Sequence, residues 1–100
     1  RRLSLILPLV LSSRSKVENA FVVEDENRSV VEAKLVLCGT ETPLPRTGER
    51  LAVSKTIGCE GSGRIRLRYA SGDEHECIVG YVIPGAVQSF TFRATESGCA

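Results

Sequence analysis

The chain is predicted to fold as an all-β domain, a small antiparallel β-sandwich or a meander closing into a barrel, stabilised by disulfides. Three observations lead there. Arg64-Ile65-Arg66-Leu67-Arg68-Tyr69 alternates strictly between charged and apolar side chains, the period of two that a half-buried strand requires. No helical period of 3.6 is found after Asn19, so nothing in that stretch offers a helix an apolar stripe. Finally, four cysteines in 100 residues supply covalent staples to a domain whose core is small.

The chain divides at the sequence level into residues 1–13, a secretory leader, residues 14–20, a short polar linker, and residues 21–100, a single β domain. Arg1-Arg2 runs into Leu3-Ser4-Leu5-Ile6-Leu7-Pro8-Leu9-Val10-Leu11, a basic start followed by an apolar run of the length of a signal h-region. Crossing a bilayer as a helix takes roughly 20 apolar residues, so the run is too short to span, and no transmembrane segment is expected in the mature chain. Cleavage after Ser12 leaves Val10 and Ser12 at the positions that want compact side chains, whereas cleavage after Ala20 places Glu18 at one of them. The competing reading makes residues 3–11 a strand or helix of the fold. Arg1-Arg2-Leu3-Ser4 also matches a basophilic kinase site and the start of a twin-arginine signal, both explained more simply by the basic region of an ordinary leader. With a leader, the protein is expected in the periplasm or outside the cell.

Within the domain, Phe21 and Val23 share a face of a short strand that ends in the polar run 24–29, a turn. Val31, Ala33, Leu35 and Leu37 then line one face of a second strand, opposite Glu32 and Lys34. Residues 39–48, with two prolines and no hydrophobic period, read as a surface loop, after which Leu51, Val53 and Ile57 resume the alternation. Gly58, Gly61 and Gly63 mark the next boundary. The 64–69 strand follows, then Ala70-Ser71-Gly72-Asp73 as a turn, and Cys77, Val79, Tyr81 and Ile83 as the inward face of its hairpin partner. Pro84-Gly85 suits a type II turn and leads into a returning strand over 87–94 that directs Phe90 and Phe92 at the core.

Cys38, Cys59, Cys77 and Cys99 are spaced too evenly for paired metal knuckles, and the single histidine supplies no ligand set. They are expected to form two disulfides. Four cysteines allow three pairings, and their placement in strands and glycine-rich ends favours Cys59 with Cys77 and Cys38 with Cys99. No cofactor or metal is expected. The net charge of +1 and the absence of tryptophan argue against nucleic acid as a partner.

Between Cys59 and Ala100 the chain resembles small exported bacterial β-proteins of uncharacterised function that pair a leader with a cysteine-bracketed hairpin. The resemblance lies in Gly58-Cys59-Glu60, the 64–69 strand, Ser71-Gly72-Asp73, and Glu76-Cys77-Ile78-Val79-Gly80-Tyr81-Val82. It implies a β fold and a periplasmic or secreted location, and it brings no catalytic or binding residues.

Functional candidates are few. Leu44-Pro45-Arg46-Thr47-Gly48 matches the sortase pattern, but the apolar span and basic tail that sorting needs do not follow it. Asn27-Arg28-Ser29 matches a glycosylation acceptor and is equally explained by turn chemistry. His75 lies two residues from Cys77, on one strand face, but a bridged cysteine offers no thiolate, so no enzyme activity is expected. The row Arg64, Arg66 and Arg68 projects from one strand face at roughly 7 Å spacing, a geometry able to meet successive anionic groups, although Glu74 and Glu76 stand ready to neutralise it. The expectation is an exported, noncatalytic β-module binding a protein or an envelope component, with an anion-binding module built on the arginine row as the alternative.

Overall fold

In a computed structural model, described over residues 18–85, 87–96 and 98–100, the chain forms nine strands: β1 (Asn19–Glu24), β2 (Val30–Leu37), β3 (Thr40–Pro43), β4 (Arg46–Thr47), β5 (Arg50–Lys55), β6 (Gly61–Tyr69), β7 (Glu74–Val82), β8 (Ser89–Thr95) and β9 (Gly98–Cys99). They make two sheets, ordered β4-β5-β1-β8-β9 and β3-β2-β6-β7. The fold is a disulfide-stabilised β-sandwich. The leader expected at residues 1–13 and most of the linker expected at 14–20 lie outside the described residues. The first strand opens at Asn19, two residues before the predicted start of the domain.

The apolar face of each strand meets the other sheet. Phe21, Val23, Leu51 and Ala94 from the five-stranded sheet pack with Ala33, Leu35, Leu37, Ile65, Leu67, Tyr69, Cys77 and Val82 from the four-stranded one. Phe90 and Phe92 reach this core from its margin and are half-buried. Phe90 lies opposite Phe21 in the register and stacks on it at 5.1 Å between ring centroids.

Most neighbours are antiparallel, yet the order is not a simple meander. After β7 the chain crosses to the other sheet, where β8 pairs in parallel with β1. The predicted returning strand therefore starts at Ser89 and lies beside β1 rather than β7. Residues 39–48 are more ordered than the surface loop read from the sequence: they hold β3 and β4, with Leu44 buried between them. A two-residue connection makes the β2–β3 hairpin possible. Cys38 and Gly39 have φ of 57° and 71°, and Leu37 pairs with Thr40 across them, the pattern of the type I′ turn whose twist matches the strands it joins.

Two bulges shift the side-chain alternation. One lies between Val30 and Glu32, so Val30 is buried and Val31, expected inside, is 51% exposed. The other lies on β7: Arg64 faces Ile78 and Gly63 faces Gly80, which leaves Val79 without a partner. An extra residue moves every later side chain to the opposite face. Cys77 is buried as predicted, Val79 only half so, while Tyr81 and Ile83 turn outward and Val82 takes the inward place. Gly80, with φ of 90°, accommodates the bend.

The disulfides join Cys38 to Cys59 and Cys77 to Cys99, correcting the pairing favoured from sequence. Strand register explains the outcome. Gly61 pairs with Val82, so Cys59 lies beyond the end of β7 while Cys77 sits five residues back along it, about 17 Å away at strand rise. A bridge needs Cα atoms within about 7 Å. The observed Cα separations are 5.6 and 5.3 Å. The first bridge ties the β2–β3 turn to the β5–β6 crossover, and the second ties β7, at the margin of one sheet, to β9, at the margin of the other. Ring closures of 21 and 22 residues stabilise by about 3 kcal/mol each in the chain-entropy description.

Candidate functional site

The arginine row stands where the sequence placed it, on the outer face of the four-stranded sheet, but each guanidinium has a carboxylate. Arg68 donates through Nε and Nη2 to Glu32 at 3.2 and 3.0 Å. Arg64 meets Glu76 at 2.9 Å and Arg66 meets Glu41 at 3.1 Å. Lys34 lies between Glu32 and Glu41 at 3.7 and 3.8 Å. The Arg68 hydrogen bond, followed by the Lys34 charge, holds the Glu32 carboxyl below its ordinary pKa. Glu74 stands opposite Arg68 in the register. Four cations (Lys34, Arg64, Arg66, Arg68) thus share the face with four carboxylates (Glu32, Glu41, Glu74, Glu76). A shallow depression lined by Glu32, Lys34, Arg66, Arg68 and Glu74 lies on this face. Of the pairs expected from sequence, Arg64 with Glu76 forms directly; Glu32 and Glu41, contributed by β2 and β3, required knowledge of which strands flank β6.

At the end of the sandwich where β1 begins, the surface has a different character. The β2–β3 turn with Cys38, the 56–60 crossover with Cys59, and the loop after β7 all converge there, as the registers Asn19↔Lys55, Ala20↔Ser89 and Gly61↔Val82 require. Tyr81, Ile83 and Val87 are 65, 50 and 69% exposed at or beside that loop, and Ile78 is exposed further down β7. They belong to residues 77–92, sixteen consecutive positions without a charge in a chain one quarter charged. Tyr81 is outward because of the bulge. The Glu60 carboxylate beside its hydroxyl, with a smaller contribution from burial, raises its pKa above the ordinary tyrosine value. Sequence reading assigned Tyr81 and Ile83 to the core and so missed this surface; the absence of charge over 77–92 was the available signal.

Asn19 fastens this end. It is fully buried, its Oδ1 accepts the Gln88 N–H at 2.7 Å, and its Nδ2 donates to the Lys55 carbonyl at 3.5 Å. Ala20 in turn donates its N–H to the Gln88 carbonyl at 3.1 Å. The loop after β7 is thereby held against the point where the chain enters the sandwich.

The opposite end contains a second buried polar group absent from the sequence reading. Asp25, 1% exposed, accepts the backbone N–H groups of Ser29 and Val30 at 3.1 and 3.0 Å, the Ser29 hydroxyl at 3.3 Å, and Arg46 Nη2 at 2.6 Å. Burial pushes its pKa up, but the Arg46 hydrogen bond and the two N–H groups outweigh it and hold the carboxyl below the usual value. Arg46 also donates to the Val30 and Gly48 carbonyls. Tyr69 completes this end by donating to the Gly98 carbonyl at 2.8 Å, and burial raises its pKa, with the Asp25 charge adding to the effect.

These contacts account for the sharper motifs. In Leu44-Pro45-Arg46-Thr47-Gly48, Leu44 is a core residue and Arg46 the partner of Asp25, so the segment is built into the sandwich. In Asn27-Arg28-Ser29, the serine hydroxyl is bonded to Asp25. His75 packs edge-on against Tyr69 at 5.2 Å, and Cys77 is bridged to Cys99, which leaves the histidine no thiol to activate. No cluster of three or more potential metal ligands occurs among the described residues, and no described helix is long and apolar enough to cross a membrane. Comparison of the chain with protein-family models, with curated proteins and with solved structures finds no match.

Proposed function

We propose that the protein is an exported, noncatalytic β-module, working in the periplasm or outside the cell, that binds a protein or an envelope component through the end of its sandwich that exposes Tyr81, Ile83 and Val87. The observation that carries the reading is the pair of disulfides, one at each of two junctions between separate chain segments. Such bridges persist in oxidising compartments and are rare in the cytosol. Binding is supported by the concentration of exposed Tyr81, Ile83 and Val87 at one end, since contiguous apolar surface marks interaction sites more often than scattered residues do. The arginine row is the weaker candidate. Its guanidinium groups already hold carboxylates, and a charge-matched face gives little attraction to a polyanion.

The test is to alkylate thiols on the native protein from its own host before and after reduction. Complete protection of all four cysteines until reductant is added supports the reading; four thiols that react at once under native, unreduced conditions would overturn it.

A further inference from the structure

We infer that an extended, uncharged segment of a partner protein adds as a strand to the open stretch of β8 at Ser89–Phe92, antiparallel to it; this names the kind of partner left open above and rests on that reading. β8 is flanked by β1 along Ser89–Arg93, while on its other edge β9 pairs only with Ala94 and Thr95. Ala100 prolongs that ladder by one residue, donating its N–H to the Arg93 carbonyl and accepting the Arg93 N–H, both at 2.9 Å. Along a strand, alternate residues turn their main-chain groups to the same edge. Arg93 faces outward in this sense, so Thr91 and Ser89 do too. Gln88, whose carbonyl accepts from Ala20 at 3.1 Å, belongs to the set that faces β1. The N–H and C=O groups of Ser89 and Thr91 thus project in line with those of Arg93, where no strand follows among the described residues. Both residues are exposed.

This edge lacks the usual defences against pairing. Ser89-Phe90-Thr91-Phe92 has no charge, proline or glycine, whereas β7, the margin of the other sheet, carries a bulge at Val79 together with Glu74 and Glu76, features that discourage a new neighbour. β3 ends in Pro43, and β4 has two residues. The core also stops short beside β8. Of the five half-buried apolar side chains that border it among the described residues, Val79, Phe90, Phe92 and Cys99 lie on β7, β8 or β9. Residues opposite each other across a ladder share a face. A strand added in the orientation β9 takes on the same edge therefore brings apolar side chains beside Phe90 and Phe92, over that margin, and small or polar ones beside Ser89 and Thr91. Past Ser89 it meets the loop that exposes Ile83 and Val87. A second copy fits poorly. Pairing two β8 strands about Phe90 sets each Ser89 against the other's Thr91, but it drives each Val87 onto the edge of the other's Arg93, which Ala100 occupies. A free segment that stops or turns at Ala100 meets no such obstacle.

The experiment pans a phage library of random octapeptides against the native full chain and uses the synthetic peptides it selects. In the free protein the Ser89 and Thr91 amides should exchange rapidly with solvent, and a bound peptide should slow both about tenfold or more. Methylating a peptide nitrogen that faces β8 removes a donor from the ladder, so affinity should fall about tenfold, whereas methylating the next nitrogen along should matter much less. Thr91→Pro, which removes an N–H directed at the open edge, should abolish binding, while Thr91→Ala, which keeps it, should stay within about twofold of the native protein. The methylated peptides decide the case even if the proline variant does not fold. Selection of no peptide, or of peptides that leave exchange at Ser89 and Thr91 unchanged, overturns the inference. So does slow exchange at both amides in the free monomer, or slow exchange that sets in only as the protein dimerises, which would assign the edge to a second copy. Protected cysteines in a protein whose Ser89 and Thr91 no peptide protects would remove the strand partner and leave the exported module standing; free thiols would remove the module itself.

Discussion

Replacing Asp25 by alanine tests how the far end of the sandwich is held together. The substitution removes an acceptor for two backbone N–H groups, one hydroxyl and one guanidinium. A buried donor left unsatisfied costs about 1–3 kcal/mol, and Val30, whose N–H loses its acceptor, is 2% exposed. Breaking one side of a buried ion pair costs about 3–5 kcal/mol. The Arg46 side chain is 28% exposed and can recover some hydration, which brings the expected loss to about 3 kcal/mol. With a urea slope of about 1.5 kcal/mol per molar, the unfolding midpoint falls by about 2 M. The pH dependence supplies an independent reading. Because the folded pKa of Asp25 is depressed, its contribution is complete above the unfolded carboxyl value of about 3.9 and is lost as pH falls through the lower folded value. The native protein should therefore lose more stability than Asp25→Ala between neutral pH and that acid range. Urea titrations of both proteins at several pH values decide the matter: a midpoint shift under about 0.5 M at neutral pH, or parallel pH profiles, would refute the assignment.

Other substitutions probe the remaining features. A Cβ on Gly63 would lie 2.8 Å from Leu37 Cδ1, so Gly63→Ala should cost about 1–2 kcal/mol and Leu37→Val should cost less in its presence than alone, as a double-mutant cycle in urea will show. Asn19→Ala should cost about 1–2 kcal/mol and accelerate hydrogen exchange at the Gln88 amide, whereas Asn19→Asp, which keeps the acceptor, should restore much of the protection. Glu32→Gln with Glu41→Gln releases Arg66 and Arg68 from their carboxylates, so the double variant should bind heparin more tightly and with a steeper salt dependence than the native protein; equal binding by both would show that the pairing does not set the charge of the face.

Much of the architecture was legible where alternation was regular. Ile65, Leu67 and Tyr69 point inward and the three arginines outward, as a period of two demands. Phe21 and Val23 are buried for the same reason. Alternation carries no record of an inserted residue, however, so the bulges at Val79 and beside Val31 reversed the expected facing of Tyr81, Ile83 and Val31. Nor does it record which strands become neighbours. The parallel union of β1 with β8 and both disulfides depend on contacts between distant segments, and parity along one strand cannot rank such pairings. Asp25 and Asn19 were read as polar turn and linker residues because composition predicts exposure; their burial follows from backbone groups that converge on them only in the folded chain. The outward placement of Tyr81 and Ile83 was hidden by the same bulge that created it.

The two disulfide rings also bear on how the chain is made. Residues 38–59 and 77–99 neither overlap nor nest, so each cysteine is bridged to its immediate neighbour in sequence. In a polypeptide delivered amino-terminus first, the earlier ring is able to close before either cysteine of the later one has emerged. The native pairs are then the pairs formed in order of arrival, and in an exported chain, as proposed above, oxidation can proceed alongside translocation without thiol–disulfide exchange to undo a mismatched bridge.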